Sequence, residues 1–175
     1  MTPFAKFLLK VMLCLAPVSH HSFYEKPATT MARYQSIASD IATVSSTHHA
    51  FANDNKGVET GLLLVIISSQ ESGQYRAAVD TCRVGGDHNT SWSIFQLTNS
   101  YAPKYKICRD RKLAAIYAIK AIKQSFQMCH RLPYNSRLSA YDTGKCIRGE
   151  WISNKRMRML ARYLQTYSTD IALIP

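Results

Sequence analysis

Gly61-Leu62-Leu63-Leu64-Val65-Ile66-Ile67-Ser68-Ser69-Gln70-Glu71-Ser72-Gly73 is the stretch that decides the fold of this chain. Its six large aliphatic residues, Leu62 to Ile67, must be buried on nearly every side, because a helix that is apolar all round belongs to a core. We therefore predict a central helix from about Val58 to Glu71, ended by Gly73.

Glu71 stands one turn beyond the aliphatic run, at the predicted edge of the core. Partial burial raises the pKa of a carboxyl group, because desolvation penalises its charged form. A carboxylic acid that stays protonated near neutral pH is the general acid that glycosidic bond cleavage needs. The alternative is a residue that only decorates a helix C-terminus. An anion there opposes the helix dipole, and no basic residue lies within four positions of Glu71, so the sequence favours a catalytic role.

Two further segments accompany Glu71-Ser72-Gly73: Gly85-Gly86-Asp87-His88-Asn89-Thr90-Ser91-Trp92-Ser93-Ile94-Phe95-Gln96-Leu97 and Leu138-Ser139-Ala140-Tyr141-Asp142-Thr143-Gly144. In this order the three resemble the lysozyme-like superfamily, in particular soluble lytic transglycosylases and goose-type lysozymes. Those families have a Glu-Ser-Gly after an apolar helix, then a Gly-Asp loop with a small-apolar-apolar-Gln element, then Ala-Tyr-x-x-Gly. The resemblance covers residues 58–144. The chain departs from it at Ser93, where Gly is usual, and at Asp142, where Asn is common.

The resemblance implies a mainly α fold of the lysozyme-like (α+β) type, in which a small loop or β insertion lines a cleft. It also implies a peptidoglycan-cleaving glycosidase, either a lytic transglycosylase or a lysozyme. Such an enzyme cuts the bond between N-acetylmuramic acid and N-acetylglucosamine, here with Glu71 as general acid and base, and needs no cofactor. Lytic transglycosylases form a 1,6-anhydro product, whereas an inverting reaction with water needs a second carboxylate about 6.5–9.5 Å away.

The other candidate site residues are Asp87, Ser91, Gln96 and Tyr141. Asp87 is interpreted as the second carboxylate, or as an Asx-turn residue of its own loop. Ser91 and Gln96 are predicted to bind substrate, and Tyr141 to position the acid. A purely structural role stays open for each of the three. Asp80 and Asp142 are weaker candidates for the second carboxylate, and the sequence also explains Asp142 as part of the turn before Gly144.

Length and charge limit the organisation and the partners of the chain. Its 175 residues fit one compact unit, with an N-terminal helical segment (1–56) packed on a catalytic domain (57–175). The net charge of +11 indicates an anionic partner, for which nucleic acid and the acidic groups of a bacterial cell wall are both candidates. The densest basic residues are interpreted as a solvated helix face: Lys145, Arg148, Lys155, Arg156, Arg158 and Arg162. No stretch reaches the ~20 apolar residues that span a bilayer.

The five cysteines contain no C-x-x-C pair, so a zinc site is not indicated. An odd number leaves at least one cysteine unpaired if disulfides form. Two bridges among Cys82, Cys108, Cys129 and Cys146 are one interpretation and buried free thiols are the other, and the connectivity stays open.

Residues 4–18 are apolar apart from Lys6 and Lys10, which is typical of a signal peptide or of an amphipathic helix. Lys10 interrupts the apolar stretch, and no A-x-A cleavage pattern follows, which favours a retained helix. Its apolar face is predicted as Phe4, Phe7, Leu8, Val11, Met12 and Leu15. We therefore expect a virion component of a phage, with a periplasmic or extracellular bacterial enzyme as the alternative.

Two other classes of protein compete with the glycosidase. One is a structural virion protein that keeps the lysozyme-like fold without turnover and contacts other virion proteins. The other is a nucleic-acid binder, which requires aromatic and basic residues gathered on one face, a pattern not evident in the sequence. We therefore expect peptidoglycan glycan strands as the partner and no specific nucleic acid.

Local signals predict the remaining elements. Thr29 or Thr30 is expected to cap a second helix, Asp110 a long helix that ends near Cys129, and Ser153 the last helix. The inner face of the long helix is predicted to consist of Leu113, Ile116, Tyr117, Ala121 and Phe126. Residues 74–97 lack helical periodicity and are predicted to form a long loop with a short hairpin.

Overall fold

Helix α3 (Val58–Glu71) has the bounds that the sequence predicts. The structure, a computed structural model, describes residues 1–21 and 23–174. Every residue from Leu62 to Ile67 is fully buried, because α3 contacts α1 (Pro3–Leu15), α2 (Pro27–Ser45), α6 (Arg111–Met128) and α8 (Glu150–Thr166). Neighbours around its circumference explain why this helix has no polar face.

Shorter elements complete the described part of the chain. They are α4 (Ala77–Asp80), β1 (Ser91–Trp92), β2 (Leu97–Thr98), α5 (Lys104–Ile107), α7 (Ser139–Thr143) and α9 (Ser168–Ala172), with 3-10 turns at Val18–His21, Asn55–Gly57, Asp87–Asn89 and Tyr134–Ser136. The predicted mainly helical fold with a small β element is confirmed. No helix within residues 1–21 and 23–174 has the length and hydropathy required to cross a bilayer.

The region between α3 and α5 contains the predicted hairpin. Strands β1 and β2 pair antiparallel, with Ser91 opposite Thr98 and Trp92 opposite Leu97. Gly86 adds an isolated bridge to Ser91. A short helix, α4, also interrupts this region, which the sequence did not predict because only four residues form it.

Helix α1 packs on α2 and α3. It buries Phe4, Phe7, Leu8, Val11 and Met12, which lie on the predicted apolar face. Its close approach to α3 depends on Gly61, because a Cβ there would lie 2.7 Å from the ring of Phe4.

Two predicted helix caps are wrong. Helix α2 begins at Pro27, and Thr30 lies inside it with its hydroxyl donating to Glu25 Oε2 at 2.7 Å. Helix α8 begins at Glu150, so Ser153 lies within its first turn. The Ser153 hydroxyl ties α8 to the preceding segment instead, because it accepts a hydrogen bond from the backbone N–H of Leu138 at 3.0 Å. The predicted Asp110 cap is present, with the Asp110 side chain accepting from Leu113 N at 3.0 Å.

The predicted inner face of α6 is wrong by part of a turn. The buried residues are mostly small: Ala114, Ala115, Ala118, Ile119, Ile122 and Ser125. The larger side chains that were predicted to be buried pack at the margin of the core. Alanines let α6 approach its neighbours closely, so a pattern of large apolar residues identifies the wrong face.

Two disulfides close the second half of the fold. Cys82 pairs with Cys108 and Cys129 with Cys146, which selects one connectivity among those left open by the sequence. Cys14 is a free, exposed thiol.

Candidate active site

Glu71 is the last residue of α3, and its side chain is 23% exposed. The chain turns away directly after it, through Ser72 and Gly73, whose φ of +59° is a conformation that glycine adopts readily. The Ser72 hydroxyl stabilises this turn by accepting a hydrogen bond from the N–H of Tyr75 at 2.7 Å. The carboxylate is therefore held at the surface of the core, neither enclosed nor fully solvated.

A buried arginine, Arg156, holds Glu71 in place. Its side chain is only 3% exposed, and its guanidinium pairs with Glu71 Oε1 through Nη2 and with Asp142 Oδ1 through Nη1. Its Nε donates to Gln70 Oε1 at 2.9 Å. One cation of α8 thus joins the end of α3 to α7.

The sequence analysis missed this role and assigned Arg156 to a solvated face. The two partners lie 85 positions apart, so no local pattern could pair them. One signal was present: Arg156 falls on the same helical face as Ser153, Met157 and Leu160, which is the buried face of α8. A basic residue in an inward position indicates a buried anionic partner.

Asp142 is the group whose pKa is most informative. Burial raises its pKa from 3.8 to about 7; Arg156 opposes this rise and the charge of Glu71 adds to it. The side chain is 5% exposed, and Oδ2 of Asp142 is buried without a hydrogen-bond partner among the described residues. Burial also lowers the pKa of Arg156, but the charges of Asp142 and Glu71 outweigh this and raise it overall. Asp142 therefore holds a proton up to about pH 7, next to the cation that also pairs with Glu71.

Tyr141 connects these carboxyl groups to the hairpin. Its hydroxyl donates to the backbone carbonyl of Phe95 at 2.8 Å, and its ring lies 5.9 Å from the guanidinium carbon of Arg156. Burial of the phenol, and next the charge of Glu71, raise its pKa well above the usual value. Tyr141 therefore lies beside the acid, as expected, while its hydroxyl anchors the turn between β1 and β2.

Asp87, Ser91 and Gln96 form a second cluster. The Ser91 hydroxyl donates to Gln96 Oε1 at 2.9 Å and lies 3.4 Å from Asp87 Oδ2. The Gln96 amide nitrogen donates to the carbonyl of Ser93 at 2.9 Å, so both ends of this amide are used within the loop. Gly86 permits this arrangement, because a Cβ there would lie 1.9 Å from Gln96 Oε1.

A cavity of about 440 Å³ brings the two clusters together. Its walls come from β2, α6 and α7, and they include Asp87, Gln96, Tyr141 and Asp142. Among the described residues, Glu71 and Ser91 are not part of the wall. Glu71 is linked to the cavity wall through Arg156, which pairs with both Glu71 and Asp142, and not through Asp87.

A larger cavity, of about 550 Å³, lies elsewhere and has a structural explanation. It is lined by Asp40, Asp80 and Arg111, and Arg111 pairs with both carboxylates, with a distance of 2.8 Å between Nε and Asp80 Oδ1. This bridge ties α2, α4 and α6 together. Asp80, the other weaker candidate for the second carboxylate, is therefore paired with Arg111 and not with the cation that holds Glu71.

In comparisons with known proteins, no family model, curated protein or solved structure matches the chain. Among residues 1–21 and 23–174, no three His, Cys, Asp or Glu side chains group in a way that could hold a metal ion. A functional assignment therefore depends on the carboxyl groups and the cavity themselves.

Proposed function

We propose that this protein cleaves the glycan strands of peptidoglycan, with Glu71 as general acid and base. The observation that carries the proposal is the pair of carboxyl groups, Glu71 and Asp142, that share one guanidinium at the edge of a cavity. A carboxyl group that keeps its proton to about pH 7, beside a second and more exposed carboxyl group, is suited to acid–base chemistry on a glycosidic bond.

The two carboxyl groups differ in a way that divides their roles. Glu71 is 23% exposed and Asp142 only 5%, so Glu71 is the member that can reach a bound sugar. Asp142 holds the proton in the resting protein, since its pKa lies near 7. In the proposed reaction this proton passes to Glu71 and from there to the glycosidic oxygen, while the bond between that oxygen and the muramic acid C1 breaks.

The same carboxylate then completes the reaction. The Glu71 carboxylate removes a proton from the hydroxyl group that attacks C1. This proton then returns from Glu71 to Asp142, so the resting state of the site is restored. If the attacking group is the sugar's own 6-hydroxyl, the product is a 1,6-anhydro sugar. If it is water, the product has a reducing end. Asp142 replaces Asp87 as the proposed partner of Glu71, and Asp87 stays a predicted residue of the cavity wall.

A zymogram on peptidoglycan tests this proposal. The native protein is expected to clear the gel, and Glu71→Gln to lose roughly 10²–10⁴-fold in rate, the usual contribution of a positioned acid–base group. Glu59→Gln is the matched control, because Glu59 lies in the first turn of the same helix, at its opposite end. Mass spectrometry of the released fragments then distinguishes anhydro ends from reducing ends.

The competing candidate is a protein of the same fold that binds without cleaving. One contact favours it: Oε1 of Glu71 is already paired with Arg156, and a substrate must compete with that pairing. Absence of clearing by the native protein, or full activity of Glu71→Gln, would reject the glycosidase.

A further inference from the structure

The outer face of α8 carries one aromatic residue and three cations in a single line. Trp151, Lys155, Arg158 and Arg162 follow one another at spacings of four, three and four residues, which places them on one face of the helix. All four are exposed, Trp151 to 69%. We call this set the α8 stripe. With a rise of about 1.5 Å per residue it extends for about 16 Å.

The three cations of the α8 stripe have no counter-charge in the described part of the chain. The six ion pairs among the described residues use Lys10, Arg33, Arg111 and Arg156, and within these residues no side chain of the stripe forms a hydrogen bond. The outward cations therefore contribute nothing to intramolecular pairing. They form a strip of positive charge that is open to an external anion.

A shallow groove of about 280 Å³ runs along this face. It is lined by the α8 stripe together with Met159. The sulfur of Met159 lies 3.3 Å from Nε2 of Gln70, and Oε1 of Gln70 accepts a hydrogen bond from Arg156, which pairs with Glu71. A chain of side-chain contacts therefore links the groove to the proposed acid.

The chemistry of the stripe fits a sugar polymer with acidic branches. A flat indole stacks on the apolar face of a sugar ring, and evenly spaced cations pair with negative groups along a chain. Nucleic acid also offers rings and anions, and the stripe gathers aromatic and basic residues in the way that this alternative requires. The contacts that link Met159 to Gln70 and, through Arg156, to Glu71 favour the glycan, because the α8 stripe lies on the same helix as the cation that holds the proposed acid.

We infer that the α8 stripe binds the acidic peptide stems of the same peptidoglycan strand that is cleaved at Glu71, with Trp151 against one of its sugars. The inference rests on the proposed function and extends it, because it adds a surface that retains the strand beside the acid. It predicts a preference for strands that carry peptide stems over neutral sugar oligomers.

Fluorescence gives a direct test in the full chain. The protein has two tryptophans; Trp92 is 6% exposed and Trp151 is 69% exposed, so acrylamide quenching reports on Trp151. Binding is measured with soluble uncrosslinked peptidoglycan strands that carry peptide stems, on a Glu71→Gln background that prevents cleavage. Chitohexaose serves as the neutral probe and a thymidine oligonucleotide as the nucleic-acid probe.

Two triple variants decide the question, and each removes three positive charges from a different helix. The stripe variant combines Lys155→Ala, Arg158→Ala and Arg162→Ala. The control variant removes three exposed lysines of α6 through Lys112→Ala, Lys120→Ala and Lys123→Ala. We expect the stripe variant to bind the strands at least about tenfold more weakly at low salt and with a smaller salt dependence. The control should stay within about twofold, and Trp151 should be protected from acrylamide in the complex.

Three results overturn the inference: equal weakening in both variants, unchanged quenching of Trp151 in the complex, or tighter stripe-dependent binding of the oligonucleotide than of the strands. The assays also separate this inference from the proposed function. Clearing by the native protein with no effect of the stripe variant on binding rejects the α8 stripe alone. Stripe-dependent binding of the strands without clearing supports the stripe and rejects the cleavage.

Discussion

Replacing Asp142 with Asn is expected to leave the stability of the protein unchanged at acidic pH and to raise it above neutral pH. The folded protein holds a proton on Asp142 up to about pH 7, whereas the unfolded chain releases it near pH 3.8. Between these values unfolding releases a proton, so the free energy of unfolding falls as pH rises. Asn keeps an oxygen for Arg156 and has no charge, so the variant lacks this dependence.

The size of the effect follows from the same two values. The interval from 3.8 to about 7 spans about three pH units, and each is worth about 1.4 kcal/mol, which gives at most about 4 kcal/mol. Screening by solvent reduces this little, because the side chain is 5% exposed. At pH 4 the native protein and the variant should be equally stable. At pH 8 the Asn variant should be more stable by about 3–4 kcal/mol.

Urea unfolding at half-unit steps from pH 4 to pH 8 measures the difference directly. All other titrating groups are the same in both proteins, so the difference between their curves isolates Asp142. Asp87→Asn is the matched control, because it makes the same chemical change at an exposed residue. Parallel curves for the native protein and the Asp142 variant would refute the conclusion that folded Asp142 keeps its proton to about pH 7. An equal gain in stability at pH 8 for Asp87→Asn would refute it as well.

Three other predictions concern the surroundings of the site. Arg156→Met should lower the free energy of unfolding by about 3–5 kcal/mol in urea at pH 8, because it leaves two carboxylates without their buried cation; Arg158→Met, on the outer face, should change it by less than about 0.5 kcal/mol, and similar losses would contradict the assignment. Tyr141→Phe leaves a backbone carbonyl without its donor and should cost about 1–3 kcal/mol in the same assay and slow clearing in the zymogram; unchanged stability would show that the bond is weak. Serine at both Cys129 and Cys146 opens a loop of 17 residues and should lower stability by about 3 kcal/mol in thermal unfolding, whereas an unchanged midpoint would contradict the disulfide.

The parts of the fold that the sequence predicts are those whose signal is local. The aliphatic run Leu62–Ile67 specifies a helix buried all round whatever surrounds it, and Asp110 marks a helix start with its own side chain. Helix faces that depend on neighbours were harder to predict. In α6, Ala114 and Ala118 face the core because adjacent helices need close approach, and small side chains give only a weak amphipathic pattern.

The candidate site divides in the same way. Glu71 and Tyr141 were predicted as site residues from short motifs, and the structure places both next to Arg156. Arg156 was missed because its partners are brought to it by the packing of α8 on α3 and α7. The burial of Asp142 arises from the same packing, so its sequence context suggested only a turn. The ion pairs between residues far apart in the sequence are thus the part of the site that periodicity and spacing could not predict.

Two unfavourable features are linked to one cavity, whose wall includes Asp87, Gln96 and Asp142, and this association supports the proposed function independently of any motif. An anion at a helix C-terminus opposes the dipole, and here it needs a buried arginine to hold it. Within residues 1–21 and 23–174, five of the nine non-glycine residues with positive φ fall in the hairpin region: Asp87, His88, Asn89, Ser93 and Gln96. Each costs about 1–2 kcal/mol unless its side chain offsets it locally, and such strain persists where the surrounding structure enforces it. Ser93 has a φ of +65°, a conformation that glycine adopts more readily. A fold optimised for stability alone would relieve these costs at separate places, whereas a site that must hold a strand against an acid concentrates them.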